Sequence, residues 1–96
     1  MQPRISVRNT KVSVETKEHI SEACDKLTQF CDDIVDCEVM IDKSRAGTSV
    51  EIIIRVPHQT LTSSSCCENL FKALSEANDR MEAQLKKCHD KLVMHR

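Results

Sequence analysis

The sequence predicts an α+β fold: a β-α-β-β-β-α two-layer sandwich, with a four-stranded sheet and both helices on one face. Three observations predict it. Two long segments repeat apolar residues at steps of three and four, as amphipathic helices do. Four shorter segments are rich in β-branched residues or alternate apolar with polar. Each helix has a single apolar stripe, so both must bury it against the same side of the sheet. Ninety-six residues suffice for one core and not two, so residues 1–96 form a single domain.

The elements follow in order. "RISVRN" (Arg4 to Asn9) alternates, with Ile5 and Val7 on one side, and Pro3 belongs at the strand's start or on an edge because proline cannot donate to a ladder. Ser13 is placed to cap the first helix, with Glu15 and Glu18 in the turn where the helix dipole favours acids. Ile20, Ala23, Cys24, Leu27, Phe30, Cys31 and Ile34 continue its apolar stripe. "CEVMID" (Cys37 to Asp42) reads as a strand with Val39 and Ile41 inward. "KSRAG" turns the chain on its only glycine, Gly47, into the strand "TSVEIIIRV" (Thr48 to Val56). "PHQ" makes a second tight turn, and "TLTSS" a shorter, weaker strand. The last helix carries Leu70, Leu74, Ala77, Met81, Leu85, Cys88 and Leu92 on one stripe. A right-handed crossover makes the first two strands parallel, and the short turns make the later ones antiparallel.

Composition narrows the function. The chain has 30 % charged residues, one glycine and two prolines, which suits an ordered domain. The opening "MQPRISVRNT" lacks a signal-peptide core, and no apolar run approaches the ~20 residues of a membrane span. A soluble, cytoplasmic protein is expected. In that setting the six cysteines are expected to remain thiols and to serve mainly as small hydrophobes. Cys66-Cys67 and Cys88-His89 lack metal-site spacing, so neither metal nor cofactor is expected. The net charge of −1 hides strong segregation: residues 15–42 carry −7, whereas residues 1–14 and 80–96 carry +3 each.

The opening "MQPRISVRN", the helix "KEHISEACDKLTQFCDDI" and the last-helix segments "ENLFKAL" and "DRMEAQLKKCHDKL" together resemble the ribosome hibernation promoting factors, the family that includes protein Y. The likeness runs through nearly the whole chain in order. It implies the same β-α-β-β-β-α fold. It also implies binding to the small ribosomal subunit in the channel used by mRNA and by A- and P-site tRNA, with inhibition of translation in stationary phase or stress. The chain stops at Arg96, which resembles the short form of the family. In some bacteria that form cooperates with a separate ribosome-dimerising factor.

The resemblance implies rRNA binding by Lys17, Lys26, Arg80, Lys87 and Lys91, and Lys86 joins the expected set as a neighbouring cation. At 100° per residue, Arg80, Gln84, Lys87 and Lys91 form one stripe beside the apolar face of the last helix, with Lys86 on the other flank. In the first helix His19, Ala23 and Lys26 hold the equivalent flank, and Ser21, Asp25, Thr28 and Asp32 make the opposite one acidic. Packed side by side, the two basic flanks could merge into one patch, and the sequence leaves open whether they face each other. Two Phe and no Tyr or Trp favour reading of shape and phosphate over base stacking, with Phe30 and Phe71 expected to pack. Departures from the family pattern are Ala83 where an Arg is usual, Ala23 and Gln29 at positions that are basic in some relatives, and Phe71 where Tyr is usual. Lys72 and Lys86 partly restore the missing charge.

Other classes fit less well. No carboxylate pair, Ser-His-Asp set or phosphate-cradling glycine loop indicates an enzyme, and His19, His58, His89 and His95 fall on separate elements. A thiol sensor built from both ends of the last helix would have to span ~30 Å. A protein-interaction module of the same fold, of the sigma-factor-modulator type, is the alternative; it would use the outer sheet face with Ser49, Glu51, Ile53 and Arg55.

Overall fold

The structure, a computed structural model, describes residues 3–31, 33–57 and 59–94, with side chains as far as Lys87. Strand β1 (Arg4–Arg8) leads to helix α1 (Val14–Leu27), then strands β2 (Asp36–Ser44), β3 (Gly47–Val56) and β4 (Gln59–Cys67), and helix α2 (Leu70–Met94). The sheet order is β1-β2-β3-β4. β1 is parallel to β2, and the remaining pairs are antiparallel. This is the predicted α+β sandwich.

Alternation explains the layering. Cys37, Val39 and Ile41 of β2 and Val50, Ile52 and Ile54 of β3 turn inward and are buried. They meet Ile20, Cys24 and Leu27 of α1 and Leu74, Ala77, Met81 and Leu85 of α2 in one cluster, so both helices cover one face. The opposite face carries Ser49, Glu51, Ile53 and Arg55 without a covering layer. Ser13 caps α1, its hydroxyl accepting from the Thr16 amide at 3.1 Å. At α2 the Asn69 side chain does the same for the Phe71 amide, at 2.7 Å.

Three details differ from expectation. First, α1 stops at Leu27, and the chain tightens into a 3-10 turn, Thr28–Phe30. The Thr28 hydroxyl donates to the Asp25 carbonyl at 2.6 Å, satisfying one of the carbonyls orphaned at a helix end. Cys31 is therefore buried from extended backbone rather than from a helix face. Second, β4 is nine residues long, because pairing with β3 runs from Val56↔Gln59 to Thr48↔Cys67. Its serines hid this strand from β-propensity. Third, Phe71 is 48 % exposed rather than packed.

Cys24 and Cys37 meet across the α1–β2 interface. Their mutual hydrogen bond, reinforced by burial, pushes the Cys24 thiol well above the ordinary range. The described cysteines, Cys24, Cys31, Cys37, Cys66 and Cys67, are all free thiols. Cys66 is exposed and Cys67 faces the helices, so these neighbours point to opposite sides of the sheet. Cys88 lies outside the described side chains.

Gly47 has φ +132°, and a Cβ there would stand 2.6 Å from the Cys67 carbonyl oxygen. Only glycine fits both constraints. Gly47→Ala is expected to destabilise the fold by about 1–3 kcal/mol, read as a lower midpoint in urea with an unchanged slope.

Candidate nucleic-acid interface

Helix contacts set the geometry of any basic surface. His19 of α1 meets Phe71 of α2, with ring centroids 5.2 Å apart. The Asn78 amide donates to the Ala23 carbonyl at 3.4 Å. Lys86 Nζ lies 5.0 Å over the Phe30 ring. The pairs advance together along both chains, so α1 and α2 run parallel, and α2 continues to Met94 beyond the end of α1 at Leu27.

The α2 flank that faces α1 is thus Phe71, Asn78, Glu82 and Lys86. The Arg80–Gln84–Lys87 stripe lies on the other side, along β4. Arg80 Nη1 donates to the Ser64 carbonyl, and Gln84 Nε2 donates to the Thr62 carbonyl at 2.6 Å. β4 is the last strand of the sheet, so these side chains cap its open edge. The two basic flanks do not merge: the flank with His19, Ala23 and Lys26 faces Lys86, and the Arg80 stripe faces away. The reason is the inward polar row of β4, which holds α2 in one rotation. Ser63 Oγ donates to the Ala77 carbonyl at 2.8 Å. Glu76 accepts from Ser65 at 2.5 Å and from Cys67 at 2.9 Å.

Five of the six expected rRNA-binding residues have described side chains, and they occupy three places. Lys26 and Lys86 flank the α1–α2 groove near its C-terminal end. Lys86 is also 3.2 Å from Glu82, a surface pair worth roughly 0–1 kcal/mol. Arg80 and Lys87 lie on the β4 flank, Arg80 engaged by the strand edge and Lys87 exposed. Lys17 faces the opposite way, into a shallow groove of about 470 Å³ with Pro3, Val14, Glu18, Ser21, Glu22 and Asp25. The side chain of Lys91 lies outside the described residues, as does Asp32. Lys26 and Lys86 are exposed cations on facing flanks of the two helices, and Lys87 is exposed on the β4 flank. Along α1, Glu15, Glu18, Glu22 and Asp25 are all exposed, and they oppose any polyanion that approaches that helix.

Phe71 is an interface feature that periodicity obscured. It sits one residue past Leu70 of the apolar stripe, an offset that places it at the rim of the packed face. Among the described residues, no helix is long and apolar enough to cross a membrane.

Glu76 has a measurable signature. Hydrogen bonds from Cys67 and then Ser65 hold its carboxyl below the usual range. A depressed folded-state pKa stabilises the protein above the unfolded value of about 4.3, and that stability disappears as pH falls through the folded value. The stability difference between wild type and Glu76→Gln is expected to be full at pH 7 and to shrink below about pH 4, measured by denaturation across pH. Separately, the Arg80→Ala, Gln84→Ala double substitution is expected to bare the β4 edge, lowering thermal stability and raising light scattering on heating.

The sequence pattern of the Sigma 54 modulation protein / S30EA ribosomal protein family matches residues 4–93. The ribosome-associated factor Y of Haemophilus influenzae is 26 % identical over 87 residues, covering 91 % of this chain and 81 % of that protein. The ribosome hibernation promotion factor of Deinococcus radiodurans is 24 % identical over 98 residues, covering 97 % of this chain and 51 % of that protein, so the chain spans about half its length. In fold, the N-terminal domain of Thermus thermophilus Protein Y superposes with a TM-score of 0.81 at 18 % identity, covering 91 % and 98 % of the two chains. A ribosomal subunit interface protein from Coxiella burnetii gives 0.86 at 14 % identity, covering 94 % and 99 %.

Proposed function

The chain belongs to the Sigma 54 modulation protein / S30EA ribosomal protein family, and from that membership we propose that it is a ribosome hibernation factor. It acts in the cytoplasm, binds the small ribosomal subunit in the mRNA and tRNA channel, and silences translation in stationary phase or stress. The names of two relatives, a ribosome-associated factor and a hibernation promotion factor, support this reading. A separate ribosome-dimerising factor is a second partner consistent with it.

The observation that carries the proposal is the pair of exposed cations where α1 ends beside α2: Lys26 in the last turn of α1 and Lys86 on the facing flank of α2. Lys26 and Lys87 make no ion pair among the described residues, and Lys86 shares its charge with Glu82. Lys26 offsets the dipole of α1, and with Lys86 it forms a short basic edge, next to which Lys87 stands on the β4 flank. Lys and Arg on such an edge bind a phosphate backbone by displacing condensed counterions, with no need for a pocket or a reaction. Lys91 belongs to the proposed set by sequence alone. Arg80 contributes less, because the β4 edge holds its guanidinium, and Lys17 less still, because carboxylates surround it.

A second reading, a protein-interaction module, is favoured by the exposed acids of α1, which suit a cationic partner and repel rRNA. Co-sedimentation with purified small subunits over a salt series separates the two. Hibernation predicts binding that weakens with salt and is displaced by mRNA and initiator tRNA. Lys86→Glu with Lys87→Glu is expected to lower affinity about tenfold or more near physiological salt and to leave helix content unchanged. Undiminished binding by this variant would reject the basic edge, and no binding by wild type at low salt would reject the ribosomal role.

A further inference from the structure

The two edges of the sheet are unlike. The β4 edge is closed by Arg80 and Gln84, which donate to the Ser64 and Thr62 carbonyls. β1 has β2 as its single neighbour, and among the described residues no side chain donates to or accepts from its main chain. Alternate N–H and C=O groups of Arg4–Arg8 thus point away from the sheet without a partner among the described residues, the arrangement that accepts an added strand.

The surroundings of this edge say what kind of strand fits. Beside it, between Pro3 and α1, runs the groove of about 470 Å³ walled by Glu18, Glu22 and Asp25 against the single cation Lys17. Val14, 72 % exposed, offers an apolar rim to the same groove. On the helix side the edge is therefore acidic with an apolar border. On the outer side the charges are already matched. Arg4 lies 3.7 Å from Asp36, and Arg8 stands opposite Asp42 in the strand register. A second copy of β1 fits poorly, because antiparallel pairing would set Arg4 of one copy beside Arg8 of the other.

We propose that the outer edge of β1 takes up an extended peptide segment with basic side chains on its helix-facing side and uncharged polar side chains on the other. Main-chain hydrogen bonds to Arg4–Arg8 supply the register. Lysine or arginine side chains reach Glu18, Glu22 and Asp25 and lay their aliphatic stems along Val14. The β4 edge and the basic helix ends take no part, so the surface works alongside the ribosomal role and does not depend on it.

The test titrates the labelled full chain with an eight-residue peptide alternating lysine and threonine, observed by amide NMR and hydrogen exchange. An alternating glutamate and threonine peptide serves as the control. Slower amide exchange within residues 4–8, with shifts along residues 14–25, is the expected result. Glu18→Gln with Glu22→Gln, both exposed, is expected to weaken binding roughly two- to thirtyfold while the fold stays intact by its spectrum. Three results would each overturn the proposal: no binding at millimolar peptide, equal binding of the glutamate peptide, or shifts on the acids without protection of the β1 amides.

Discussion

The seating of α2 on β4 is the interaction on which the rest of the structure depends. β4 turns serines inward where its neighbour β3 turns valine and isoleucine. A buried hydroxyl without a partner costs about 1–3 kcal/mol, so the helix above must supply acceptors at the right heights. It supplies the Ala77 carbonyl and the Glu76 carboxylate. Ala73 and Ala77, both fully buried, let the backbone come close enough to do so. One residue of rotation would take Glu76 off the strand and break the row.

That rotation decides the electrostatics. With Glu76 turned to β4, Arg80 and Gln84 follow at steps of four and reach the Ser64 and Thr62 carbonyls. Lys86 is carried to the other flank, over Phe30. A helix that reads as one basic stripe is thus divided between a structural duty and a free surface. The near-zero net charge of the chain hides a further division, between the acidic exposed side of α1 and the cations Lys26 and Lys86 where α1 ends beside α2.

Much of the architecture was legible in the sequence because periodicity records burial directly. The strands "CEVMID" and "TSVEIIIRV" alternate, the helices repeat at three and four, and the tight turns force antiparallel pairing. What the sequence hid was set by tertiary contacts. β4 was shortened by its serines, whose polarity is answered by α2, an element distant in the chain. α1 was overextended because Phe30, Cys31 and Ile34 keep the helical spacing, although Thr28 ends the helix and the later residues reach the core from irregular backbone. The candidate basic residues could be named from the family pattern, but which of them share a face depended on the rotation of α2. The open β1 edge had one weak sequence signal, Pro3, which suits a strand's start as well as an edge; a strand's place in the order is otherwise a property of the whole sheet.

The parallel pairing of β1 with β2 has a consequence for the order of assembly. β2, β3, β4 and α2 are joined by short turns, so each can dock on its predecessor soon after forming. β1 reaches β2 only after the chain from residue 9 to residue 35 has closed a loop, and loop closure carries an entropy cost that grows with its length. Loop-closure entropy thus favours a meander with α2 that forms early and β1 joining it late. β1 pairs with β2 at five positions, where β4 pairs with β3 at nine, so it is the strand with fewer ladder contacts to lose. Its departure would uncover the edge of β2 without touching the α2–β4 seating, so the two margins of this fold differ in how firmly they are tied.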